Sequence, residues 1–160
     1  MESGARIGLF GGSFNPIHTG HLRAAEEIRE RFALDQVVFI PAHISPHKPE
    51  ATRDSARHRM AMLQRATSHN RHFTVWDVEF NRPGKSYSVE TLRHFREAFP
   101  EAKAPFFIMG IDAFMEIESW KQYRDLFALC NFIVMTRPGY ELPSATEIIP
   151  RQLAVEFSFQ

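Results

Sequence analysis

The segment Gly11-Gly12-Ser13-Phe14-Asn15-Pro16-Ile17-His18-Thr19-Gly20-His21-Leu22 holds residue types suited to an anion. Adjacent glycines let a backbone come close to a ligand, and a chain passing from a strand end into a helix start points free amides at it. His18 stands just before that helix and His21 in its first turn, with Gly20 leaving space between, so both imidazoles can face one phosphate beside the helix dipole. No side chain here is an obvious nucleophile, which favours direct transfer. Attack on the α-phosphorus of a nucleoside triphosphate needs alignment, plus donors for the equatorial oxygens and the departing pyrophosphate. Two histidines, backbone amides and a magnesium ion would suffice. A lone Gly-Gly or a lone histidine is more often turn chemistry or a surface side chain; the ordered string carries the reading.

The elements that position this segment follow from apolar periodicity. Ile7-Gly8-Leu9-Phe10 reads as a buried strand, Leu22, Ala25, Ile28 and Phe32 recur at helical spacing, and Val37-Val38-Phe39-Ile40 is a second strand, completing a βαβ unit. Pro41, Pro46 and Pro49 predict a long loop, after which Ala56, Met60, Leu63 and Ala66 mark the inner face of a helix. Phe73-Thr74-Val75-Trp76 starts a third strand, and Val89, Leu92, Phe95 and Phe99 line a helix for which Ser88 is the expected N-cap. Phe106 to Met109 forms a fourth strand, helical segments run from about Ala113 to Cys130, and Phe132 to Met135 is a fifth strand ended by Arg137-Pro138-Gly139-Tyr140. Short apolar strands alternating with helices imply an α/β protein with a doubly wound parallel sheet of about five strands and helices on both faces. Ligands of such sheets bind beyond the strands' carboxyl ends where strand order reverses, and both Gly11-Gly12-Ser13 and Gly110-Ile111-Asp112 occupy strand ends.

Composition bounds the function classes. A chain of 160 residues suits one domain, residues 1–160. Lys plus Arg and Asp plus Glu number 19 each, so the formal charge is zero and electrostatic wrapping of nucleic acid is not expected. The single cysteine, Cys130, forms no internal disulfide and lies in an apolar stretch, which fits a buried structural thiol and a reducing, cytoplasmic setting. No basic leader opens the sequence and no run of about 18 apolar residues predicts a membrane span. His43 and His47 do not read as a zinc pair, because Pro46 breaks any helical register between them, and no protein-held metal is expected. A homo-oligomer is compatible with the sequence.

The His-x-Gly-His string resembles the nucleotidyltransferase superfamily, whose adenylyl-, cytidylyl- and phosphopantetheine adenylyltransferase members share it. Later segments resemble the bacterial nicotinate-nucleotide adenylyltransferase family in particular: Pro46-His47-Lys48, Ser86-Tyr87-Ser88-Val89-Glu90-Thr91-Leu92, Gly110-Ile111-Asp112 with Trp120, and Thr136-Arg137-Pro138-Gly139-Tyr140. The resemblance spans residues 6 to about 143 and implies a Rossmann-like fold, with transfer of AMP from magnesium ATP to nicotinate mononucleotide in NAD synthesis. It also implies a site: His18 and His21 catalytic; Gly11, Gly12, Ser13, Phe14, Gly20, Lys48 and Arg137 on ATP and its phosphates; Ser86, Tyr87, Ser88, Asp112 and Trp120 around the mononucleotide. The residues agree physically, since Trp120 offers a stacking face and amides near Tyr87 and Ser88 open a helix where a carboxylate is favoured. Taken singly, Ser86 to Leu92 is also a plain helix cap, Trp120 a core residue, Asp112 a cap and Arg137 a turn-flanking charge. Asn15 and Ser13 stand where many relatives carry Asp and Thr. Between Glu141 and Gln160 no Ile-Ser-Ser-Thr-x-Ile-Arg-like segment is found, so the family's C-terminal phosphate clamp is expected to be lacking and the chain shortened. A sister adenylyl- or cytidylyltransferase and a non-catalytic nucleotide-binding module are the alternatives.

Overall fold

A computed structural model describes residues 4–46, 53–136 and 154–158, with the backbone alone for 53, 54 and 154–158. Six strands pair in parallel in the order β3-β2-β1-β4-β5-β6. They are β1 (Ile7–Gly12), β2 (Gln36–Pro41), β3 (Phe73–Val75), β4 (Phe106–Gly110), β5 (Asn131–Thr136) and β6 (Ala154–Ser158). The sixth is one more than the apolar runs of the sequence indicate; it lies on β5 with Phe157 opposite Met135.

Strand alternation sends side chains to opposite faces, and each face is covered. Leu9, Val38, Ile40, Phe107, Met109, Phe132 and Val134 pack with Val89, Leu92 and Phe95 of α3 (Ser88–Ala98), Phe114 of α4 (Ile111–Met115) and Leu126 of α5 (Tyr123–Leu129). Phe10, Val37, Phe39, Ile108 and Ile133 pack on the other face with Ala25 and Ile28 of α1 (Thr19–Arg31) and Leu63 of α2 (Arg53–Thr67). The sheet is therefore doubly wound, as the alternation of patterns predicts.

Two local details differ from the patterns above. Tyr87, not Ser88, is the N-cap of α3; Ser88 is the first helical residue, and no side-chain cap bond forms. The buried stripe of α2 runs Ala56, Arg59, Leu63 and Thr67, leaving Met60 and Ala66 only half-buried. The helical segments expected after β4 are α4, a 3-10 turn over Ile117–Ser119 and α5, with Gln122 in the left-handed region at φ 49° just before α5. Cys130 is buried as expected; its thiol donates to the Leu126 carbonyl (3.3 Å), and burial pushes its pKa up. Among the described residues no helix is long and apolar enough to cross a membrane.

Candidate active site

Strand order reverses between β1 and β4, where connections leave in opposite directions and a crevice opens at the carboxyl ends. A cavity of about 530 Å³ lies there. Gly11, Gly12 and Ser13 line one end; Ser86, Tyr87, Ser88 and Trp120 line the other, with Gly110 of β4 between. Segments far apart in the chain are thus gathered into one cleft of ligand size.

At the Gly11–Ser13 end, close packing explains the glycines. A Cβ on Gly11 would come within 3.0 Å of the Phe107 ring, and one on Gly12 within 3.2 Å of the Phe14 ring. Phe14 turns the chain with φ 47° and buries its ring against Phe10 (5.4 Å between centroids) and Phe39 (5.6 Å). Its side chain is core, 3% exposed, so the expected role on ATP can reach a ligand only through its backbone. Asn15-Pro16 is a cis peptide and leads into the helix start.

His18 is the N-cap of α1 and His21 its third residue. Their rings stack at 3.7 Å with 29° between planes, so the paired imidazoles share one side of the helix start. A Cβ on Gly20 would lie 3.0 Å from Cε1 and Nδ1 of His18, which is why a residue without a side chain separates them. The His18 amide donates to His21 Nδ1 (3.2 Å), and Phe14 (5.3 Å) and Phe10 (6.2 Å) meet the His21 ring edge to face. A nitrogen that accepts carries no proton, so neutral His21 holds its proton on Nε2 as a donor. Burial first, then the neighbouring His18, lowers its pKa to about 4.

The Ser86 end of the cavity rests on the first of two buried polar side chains that the sequence patterns did not single out. Glu79, 8% exposed and lining the cavity, accepts from Thr91 Oγ1 (2.7 Å) and from the Ser86 hydroxyl; Arg82 Nη2 donates to Thr91 (2.6 Å) and lies 3.8 Å from the Glu79 carboxylate. Burial raises the Glu79 pKa against these donors. Ser86 in turn accepts from the His43 amide (3.0 Å) and donates its own amide to the Ile44 carbonyl (2.8 Å), which pins its loop to the one after β2. Its hydroxyl is therefore committed to protein, leaving ligand contact to the amides that open α3. Trp120 meets Phe107 edge to face at 6.4 Å with its neighbour Lys121 bound to Glu90 (2.6 Å) and poised over the Tyr87 ring (4.5 Å).

The second missed side chain, Arg59, is 2% exposed and reaches the carbonyls of Ser13 and Ala42 through Nη1 (2.7 Å each) and that of His43 through Nη2 (3.2 Å). Both had a readable signal. Arg59 falls three residues after Ala56 and four before Leu63, on the apolar stripe, and Glu79 sits between Val78 and Phe80. Asp112 is exposed in the first turn of α4, whose N-cap is Gly110. Lys48 and Arg137 lie outside the described residues. Among the described residues no three His, Cys, Asp or Glu side chains converge as a metal site.

A parallel sheet reversing at β1 and β4, with an anion-ready helix start at the reversal, defines a nucleotide-binding α/β protein of the nucleotidyltransferase class. The cytidylyltransferase-like family matches residues 9–158, and the chain belongs to that family. It is 47% identical over 154 residues to a probable nicotinate-nucleotide adenylyltransferase of Geotalea uraniireducens and 45% identical to that of Geobacter sulfurreducens, in each case over 96% of this chain and 71% of the relative. In fold it is similar to Plasmodium falciparum nicotinic acid mononucleotide adenylyltransferase complexed with NaAD, with TM-score 0.81, 19% identity and coverage of 97% of this chain and 75% of that one.

Proposed function

We propose that the protein transfers AMP from magnesium ATP to nicotinate mononucleotide, giving deamido-NAD and pyrophosphate, in the cytoplasm. The observation that carries the reading is the single cleft joining the Gly11–Ser13 turn to the Ser86–Ser88 helix start and Trp120. The mononucleotide's 5′-phosphate oxygen attacks the α-phosphorus of ATP, and the bond to the β-phosphate oxygen breaks as pyrophosphate leaves. His21 Nε2–H and His18 donate to phosphate oxygens, and the start of α1 offers its amides and dipole to the same charge. Their contribution is alignment and charge stabilisation, with no covalent intermediate. Magnesium enters on the triphosphate as part of the substrate. At the far end Trp120 supplies a face for the pyridine ring, and the first amides of α3 suit a nicotinate carboxylate better than a neutral amide. The names of the relatives support the same substrate.

A coupled pyrophosphate assay tests this with nicotinate mononucleotide, nicotinamide mononucleotide and phosphopantetheine offered in turn with magnesium ATP. Release with nicotinate mononucleotide in clear excess is expected. Turnover of phosphopantetheine alone would assign a sister activity, and ATP binding without any turnover would assign a binding module.

A further inference from the structure

We propose that Arg59 is a positioning residue for the transfer step, aiming backbone amides at both ends of the cleft from beneath it. The inference rests on the adenylyl-transfer reading above. Its guanidinium is buried and collects three carbonyls from two loops: Ser13 and Ala42 at 2.7 Å, His43 at 3.2 Å. Ser13 and Ala42 themselves line the cavity.

In a planar trans peptide the carbonyl and the following amide point in opposite directions. Drawing the Ala42 carbonyl down to Arg59 therefore sends the His43 amide the other way, and that amide reaches Ser86 Oγ at 3.0 Å. The pyridine-side loop is held by the far side of a peptide that Arg59 grips. The Ser13 carbonyl, gripped in the same way, turns the Phe14 amide away from Arg59, and this amide has no hydrogen-bond partner among the described residues. Phe14 stands at φ 47°, a conformation an L-residue adopts only when its surroundings impose it. The buried guanidinium and the aromatic packing of the Phe14 ring supply that constraint, leaving a fixed donor for a phosphate oxygen. Burial of the cation has a cost, seen in its lowered pKa, that an apolar residue at this helix position would avoid. A planar fork with several donors can hold three carbonyls at once, whereas an ammonium is a point charge.

The test compares Arg59→Lys and Arg59→Met with the wild-type protein by thermal melting, calorimetric ATP binding and pyrophosphate release. Both variants are expected to fold and to bind ATP within about three-fold of wild type, with kcat lowered roughly ten- to hundred-fold, the scale of an ångström-sized misplacement. Arg59→Ala should recover kcat on addition of methylguanidinium and not of methylammonium. Wild-type kcat in the variants, or a loss of kcat that tracks the melting temperature and is not rescued, would overturn the inference. If wild type releases no pyrophosphate, the transfer reading fails by itself, and hydrogen exchange then decides: the His43 amide should exchange faster in Arg59→Lys, and unchanged exchange refutes the role.

Discussion

The surroundings of His21 keep it neutral, as the proposed donor role requires: the His18 amide occupies Nδ1, and burial makes a second proton costly. A nuclear magnetic resonance titration of the ligand-free protein should find its imidazole titrating near pH 4 and protonated on Nε2 above that. A midpoint near the ordinary value of about 6.5 would contradict this. Because the folded value is depressed, the unfolded chain takes up its proton first. The associated stability is full above about pH 6.5 and declines as pH falls towards the folded pKa. Glu79 has the opposite sign. Its raised pKa means that the folded state prefers the protonated form, so its contribution is present below the ordinary carboxylate range and is lost as pH rises through the folded value. Glu79→Gln mimics the protonated form; urea unfolding at pH 4.5 and 8 should show the variant improving relative to wild type at the higher pH. A variant that loses stability relative to wild type as the pH rises would refute the assignment.

Among the elements, the start of α1 joins stability and chemistry in opposition. Gly20 lies in the first turn of a helix, where alanine would ordinarily stabilise by about 0.5–1 kcal/mol, yet its Cβ would sit 3.0 Å from the His18 ring. Gly20→Ala should hold or raise the melting temperature while lowering kcat, because the His18 ring must give way and shift in its stack on His21. Unchanged kcat would show that the stack is not used. This start was readable from sequence because a glycine pair, two histidines and an amphipathic helix follow one another within a short segment. Elements fixed by distant contacts were less readable. The α3 cap fell one residue off because Ser86, not Ser88, carries the hydroxyl that binds, and its partners, His43 and Glu79, come from elsewhere in the chain. The start of α5 follows Gln122 at φ 49°, a left-handed turn for which no glycine or proline gives notice. Arg59 and Glu79 escaped notice because a charged residue on an apolar stripe is normally solvent-facing, and only three-dimensional neighbours show what it holds.

For the whole molecule, the sheet order matters more than any single motif. Sequence periodicity supplied the strands and their parallel character, since every strand but β6 is a short apolar run followed or preceded by a helical stripe. The order β3-β2-β1-β4-β5-β6 brings the turn after β1 beside Gly110 at the end of β4, and so sets Gly11–Ser13 and Ser86–Ser88 across one cleft. The central claim is that one transfer reaction uses both ends, each for a different task. Steady-state pyrophosphate release from magnesium ATP and nicotinate mononucleotide, measured for wild type, His21→Ala and Trp120→Ala, tests it most directly. The account predicts a kcat about 100- to 1,000-fold lower for His21→Ala, the cost of losing a donor to transition-state charge. For Trp120→Ala it predicts a higher KM for the mononucleotide and an unchanged KM for ATP. His21→Ala turning over within about two-fold of wild type would contradict it, since removal of a transition-state donor cannot be so slight.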